Sequence, residues 1–183
     1  MLRIIISVLI VTSISLISAV QTASADGSQA AQGTYTYDGV IALGHAQYMA
    51  KNFDGAIAKY KEAKAMDAGR PESYYFAGCA MIQKHLFGEA VASFKVSAEI
   101  SGEQNPVMRA KSLFAVGIAW EMQRDFKMAK SAFSAYLDFA KLHTDANVFI
   151  EIAEQKIEVI EKWEQRVADN QVVKDRIISE STK

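Results

Sequence analysis

A short block recurs three times in this chain, and its spacing constrains the fold more than any other feature. It reads Phe53-Asp54-Gly55-Ala56-Ile57-Ala58-Lys59-Tyr60, then Phe87-Gly88-Glu89-Ala90-Val91-Ala92-Ser93-Phe94, then Phe126-Lys127-Met128-Ala129-Lys130-Ser131-Ala132-Phe133. Each copy is an aromatic, an alanine three residues on and a second aromatic four further. A glycine stands twelve residues before each alanine, at Gly44, Gly78 and Gly117. The first two copies are 34 residues apart and the last two 39, so five residues are inserted between equivalent blocks.

Glycine and alanine at these places fall on two neighbouring helices of each unit. Where helices cross closely, only a residue with little or no side chain fits between the backbones. The aromatics then fill the space along the crossing. One such pair cannot bury its own apolar face, so pairs stack and share a continuous core.

The 34-residue period with small residues and aromatics in register resembles the tetratricopeptide repeat (TPR) over residues 37–142. The resemblance implies an all-α fold, a right-handed α-solenoid of three helix pairs closed by a C-terminal capping helix. The family's first-helix Trp is replaced by Val40, Tyr74 and Leu113, and its Leu before the glycine becomes Leu43, Ala77 and Val116. Its unit-closing Pro is absent, with Ala68, Gly102 and Lys141 in its place.

The chain has 183 residues, half of them hydrophobic, which suffices for one domain with a real core. No alternating strand pattern of any length occurs, and the periodicity is helical throughout. Residues 1–25 are read apart. Met1-Leu2-Arg3 is a short basic start, Ile4 to Val20 is apolar, and Ala23-Ser24-Ala25 offers small residues where signal peptidase cuts. The expectation is a signal peptide cleaved before Asp26, with a retained anchor as the alternative, and hence a periplasmic or secreted bacterial protein. Residues 26–36 read as a flexible leader. Beyond Arg3 the chain keeps all its other basic residues and all 21 acidic ones, a net charge of −2. That balance excludes a nucleic-acid binder. Cys79 is the only cysteine, so no internal disulfide forms, and a buried thiol on a helix is expected.

The repeats divide at about 37–70, 71–109 and 110–143, with the inserted residues extending the loop and the start of the third unit's first helix. Pro71 and Pro106 suit first helical positions, and Asn105 suits an N-cap. Thr144 is read as the cap of a closing helix over 145–168. On a helical wheel the apolar residues of that helix spread over about half the circumference, wider than a pure cap needs. Ile152, Val159 and Trp163 are therefore candidate oligomer-surface residues. Residues 169–183 read as a polar tail. Val172, Val173, Ile177 and Ile178 within it allow a short amphipathic helix.

Chemistry is sparse. His45, His85 and His143 lack the spacing of a helical metal pair, and no phosphate loop is present. Glu151 and Glu154 read as a solvated helix face. The expectation is no enzyme, no cofactor and no metal.

The resemblance implies that the first helix of each pair lines a concave groove that binds peptides or helices of partner proteins. By register that groove takes Asp38, Ile41, His45, Tyr48 and Met49 from the first unit. Glu72, Tyr75, Cys79, Ile82 and Gln83 come from the second, and Lys111, Phe114, Ile118, Glu121 and Met122 from the third. The closing helix would add Val148, Ile152 and Gln155. The family's carboxylate clamp is not matched. Ile41, His45, Phe76 and Ala115 occupy its Lys, Asn, Asn and Arg positions, and only Lys111 agrees. The sequence thus points to a non-catalytic adaptor that holds a peptide or amphipathic helix of an envelope protein, centred on Tyr48, Tyr75 and Phe114. The alternative is a homo-oligomeric structural component assembled through the closing helix, with a homodimer as the simplest form. Neither reading has a nucleic-acid partner or a membrane insertion after cleavage.

Overall fold

Helices dominate because the only two prolines, Pro71 and Pro106, stand at first helical positions and none falls inside a helix. The computed structural model describes residues 36–181. The expected signal peptide, nearly all of the leader and the last two residues of the tail lie outside the described residues. Six helices pair as hairpins: α1 (Tyr37–Met49) with α2 (Phe53–Met66), α3 (Pro71–Gln83) with α4 (Phe87–Ser101), and α5 (Pro106–Met122) with α6 (Phe126–Leu142). A 3-10 turn (Thr144–Ala146) leads into α7 (Ile150–Ser181). No strand occurs among the described residues, and no described helix is long and apolar enough to cross a membrane.

The three crossings are built alike. Ala56, Ala90 and Ala129 are fully buried. A β-carbon on Gly44 would lie 2.4 Å from the Tyr60 ring, on Gly78 2.6 Å from Phe94, and on Gly117 2.5 Å from Phe133. Each glycine is thus bare so that the aromatic sixteen residues later can rest on its helix. The turns repeat too. Lys51, His85 and Arg124 have φ of 60°, 60° and 64°. The next residue in each turn donates its N–H to the carbonyl five back: Asn52 to Gln47, Leu86 to Met81 and Asp125 to Trp120. This is the Schellman arrangement, here without glycine at its left-handed position.

Units are joined by apolar contact and by buried hydrogen bonds. Tyr37 accepts from the Ser73 N–H across 3.1 Å, satisfying a free donor at the start of α3. Ser97 donates to the Pro71 carbonyl at 3.0 Å and accepts from Ser112 at 2.9 Å, so one hydroxyl ties α3, α4 and α5. The core divides into two clusters, one mainly in the first two pairs and one in the third pair with α7.

The closing helix differs from the expected span. Thr144 opens the 3-10 turn and lies six residues before the closing helix begins at Ile150. Tyr136 instead accepts from the Phe149 N–H at 2.8 Å, and Phe149 stacks on Phe114 with ring centroids 4.7 Å apart. That plug delays the helix to Ile150. Nor does the helix stop at 168. No Gly or Pro lies between 150 and 181, the Gln165–Asp169 side-chain bond spans the expected boundary, and a Gln171–Asp175 bond of the same spacing follows beyond it. The stretch from 169 is therefore a continuation of α7.

Candidate functional site

The register against the bare glycine decides where each candidate side chain goes. Residues three before a glycine share its helix face, which is turned toward the second helix. That rule places Ile41, Tyr75 and Phe114 in the core, and Ile82 is buried as well. Tyr75 is 1% exposed and Phe114 is fully buried. Tyr75 meets Phe94 at 5.6 Å between centroids, and Phe114 meets Phe133 at 5.5 Å. Cys79 and Ile118 are buried as well. The groove expected around Tyr48, Tyr75 and Phe114 is thus corrected: Tyr75 and Phe114 hold the pairs together and offer no surface to a ligand. Their spacing from Gly78 and Gly117 was the signal that separates them from surface positions.

The positions that stay accessible form two rows. Six residues before each glycine stand Asp38, Glu72 and Lys111, at the starts of α1, α3 and α5. Five after each glycine stand Met49, Gln83 and Met122, at the ends of the same helices. Met49 is 66% exposed, while Gln83 and Met122 are half-buried. Between the rows, His45 and Tyr48 are half-buried.

The first row is organised by a residue that sequence reasoning missed. Arg70, in the loop before Pro71, pairs with Asp38 at 2.9 Å and with Glu72 at 3.5 Å. Its guanidinium also lies 3.9 Å from the centre of the Tyr37 ring. Two of the three acids expected in the groove, Asp38 and Glu72, therefore share one cation of this chain. The third, Glu121, accepts from Lys156 of α7 at 2.7 Å. Lys111 has no ion pair among the described residues, and burial pulls its pKa down.

Along the middle, His45 packs edge-on against Phe76 at 4.3 Å, and its Nε2 is buried without a hydrogen-bond partner. Burial lowers its pKa. Tyr48 meets Phe53 edge-on at 5.3 Å and reaches the Gln83 side chain, and burial pushes its phenol pKa up. The Cys79 thiol is pushed up to about 12 by burial, which keeps it protonated and unreactive at neutral pH.

The third part of the surface is the near edge of α7. Val148, Val159 and Gln155 are exposed, and Ile152 is half-buried. Trp163 is 46% exposed yet packs on Phe126 at 4.8 Å. It lines a shallow cleft with Gln123, Phe126, Lys127 and Glu164. Nothing in these rows has the geometry of a nucleophile with its base. Among the described residues no three metal-type side chains converge.

No protein-family model and no curated relative matches the sequence. Solved structures do match. The N-terminal domain of stress-induced protein-1 (STI-1) from C. elegans aligns with TM-score 0.60 and 21% identity, over 68% of this chain and 94% of that one. The TPR2B domain of yeast Sti1, solved as a complex with pHsp70, aligns with TM-score 0.61 and 12% identity, over 69% and 97%. This chain has the TPR fold. A type III secretion system (T3SS) complex from Aeromonas hydrophila also contains a similar chain, with TM-score 0.62 and 19% identity over 72% of this chain and 85% of that one. At these identities the likeness fixes the solenoid of helix pairs and its closing helix.

Proposed function

We propose that this TPR protein is a non-catalytic adaptor that holds a segment of another protein against the inner ends of α1, α3 and α5. The observation that carries the reading is the row of Met49, Gln83 and Met122 beside Tyr48. Adaptable thioethers, an amide and a phenol edge stand at matching positions of three successive units, and Met49 is two-thirds exposed. Methionine adapts to irregular apolar ligands, and tyrosine gives rigid contact area with one polar tip. A segment with apolar anchors and a few backbone hydrogen bonds suits such a row. Two proteins of the same fold support the reading, since one was solved with pHsp70 and another within a secretion-system complex. The apolar run and Ala23-Ser24-Ala25 support a partner in the bacterial envelope.

Selection of a displayed peptide library against the protein tests this. Bound peptides should share apolar anchors, and Tyr48→Ala or Met49→Asp should weaken them by at least about tenfold, the size of a central contact. Peptides that bind both variants unchanged would contradict the proposal.

A further inference from the structure

The second half of α7 leaves the body of the protein. α7 has 32 residues and α6, on which it packs, has 17, a difference of about 20 Å in length. Every residue from 165 to 178 is exposed. A helix bare on all sides over such a length is marginal in water. Val172, Val173, Ile177 and Ile178 lower its propensity further, because β-branched side chains lose rotamer freedom in a helix. The stretch is helical and apolar in places, yet among the described residues Val172, Val173 and Ile177 stay more than half exposed.

Its pattern says what does. Val159, Trp163, Arg166, Asn170, Val173 and Ile177 alternate at four- and three-residue steps. That is the seam of a two-stranded coiled coil, with Trp163, Asn170 and Ile177 in one set of heptad positions and Val159, Arg166 and Val173 in the other. We propose that this seam pairs in parallel with the same segment of a second copy of the chain.

Two features favour a second copy over a foreign helix. Asn170 stands within the seam, and an amide carries both donor and acceptor, so two Asn170 side chains satisfy each other across a two-fold axis. Asp169 and Lys174 flank the seam five residues apart, the separation that meets across a parallel pair. Each dimer then gains that charge pair twice. An antiparallel pair centred on Asn170 would bring the two Asp169 carboxylates together instead. Arg166 is the weak point of the seam. Its stem lies along the valines while the guanidinium reaches water, which keeps the association reversible. The pairing leaves the inner ends of α1, α3 and α5 free, so two adaptor surfaces would be carried by one stalk.

Sedimentation equilibrium on the full chain, purified from its own cell, tests the proposal. The mass should rise from one copy toward two between micromolar and millimolar concentration. Val173→Glu, at an exposed site, should stay a single copy with its melting temperature unchanged. Ile177→Cys in a Cys79→Ala background should form a disulfide-linked dimer on mild oxidation, since a parallel pair brings the two sites within bonding distance while an antiparallel pair centred on Asn170 holds them about 20 Å apart. A single copy at every concentration, a dimer indifferent to Val173→Glu, or no cross-link at Ile177→Cys would each overturn the proposal.

Discussion

The ring of Phe94 lies on the backbone of Gly78, and a β-carbon there would come within 2.6 Å of Phe94 Cε1 and 2.9 Å of Cδ1. The glycine is therefore space for a ring, which explains why a helix-weakening residue sits in the middle of α3. Two effects oppose each other in Gly78→Ala. Alanine gains about 1 kcal/mol of helix propensity, while overpacking a rigid ring costs about 1–3 kcal/mol. The ring is 2% exposed and has nowhere to move, so the clash should win and urea denaturation should show a net loss of about 1 kcal/mol. In a Phe94→Leu background the loss should vanish, because the shorter side chain clears the new methyl.

The repeated turns offer a gain. His85 sits at φ 60°, where a side chain costs about 1 kcal/mol relative to glycine. It is exposed, and its one ring contact is with Phe87 at 5.6 Å. His85→Gly should raise the unfolding free energy by about 0.5–1 kcal/mol, measured in the same urea titration.

Much of this was legible in the sequence. Gly44, Gly78 and Gly117, with the alanines and aromatics that follow them, mark all three crossings by spacing alone. Pro71, Asn105 and Pro106 placed two helix starts. The surface was less legible, because the inner face and the inter-helix face of α3 and α5 differ by one residue of register. Tyr75 and Phe114 suit either face chemically, and only their three-residue offset from a bare glycine assigns them to the core. The Arg70 clasp on Asp38 and Glu72, and the Ser97–Ser112 hydrogen bond, join residues that no local period relates. The length of α7 was missed because a polar composition after 168 resembles a tail, although nothing there breaks a helix.

The N-cap of α4 is a vacancy with a known shape. Leu86 has φ −87° and ψ 59°, close to Asn52 (−83°, 75°) and Asp125 (−87°, 80°) at the equivalent sites. Those two side chains accept from Gly55 N–H at 3.1 Å and Met128 N–H at 3.0 Å, whereas leucine accepts nothing. Leu86→Asn should supply the bond and stabilise the protein by about 0.5–1 kcal/mol, the usual worth of a cap less the leucine's partial burial. A thermal melt reads the shift.

His45 should make stability depend on pH. Burial holds its folded pKa below the usual 6.5, so below that value the unfolded chain binds the proton that the folded one resists. Stability then falls as pH drops from about 6.5 toward the lower folded pKa, and is retained above it. His45→Gln removes this dependence and leaves the carboxylates unchanged. The difference in melting temperature between the two proteins should therefore change sign or shrink as pH falls from about 7 to about 5. A constant difference would show that His45 titrates alike in both states.

The measurement closest to the central claim is photo-crosslinking in the native cell, with the probe at Met49 and a control at Lys95. Met49 is open at the end of α1 on the proposed binding row, and Lys95 is exposed on α4, a second helix of its pair. A discrete adduct with another protein at Met49 alone is the expected result. Equal labelling at both sites, or none at Met49, would contradict an adaptor that works through the inner ends of α1, α3 and α5.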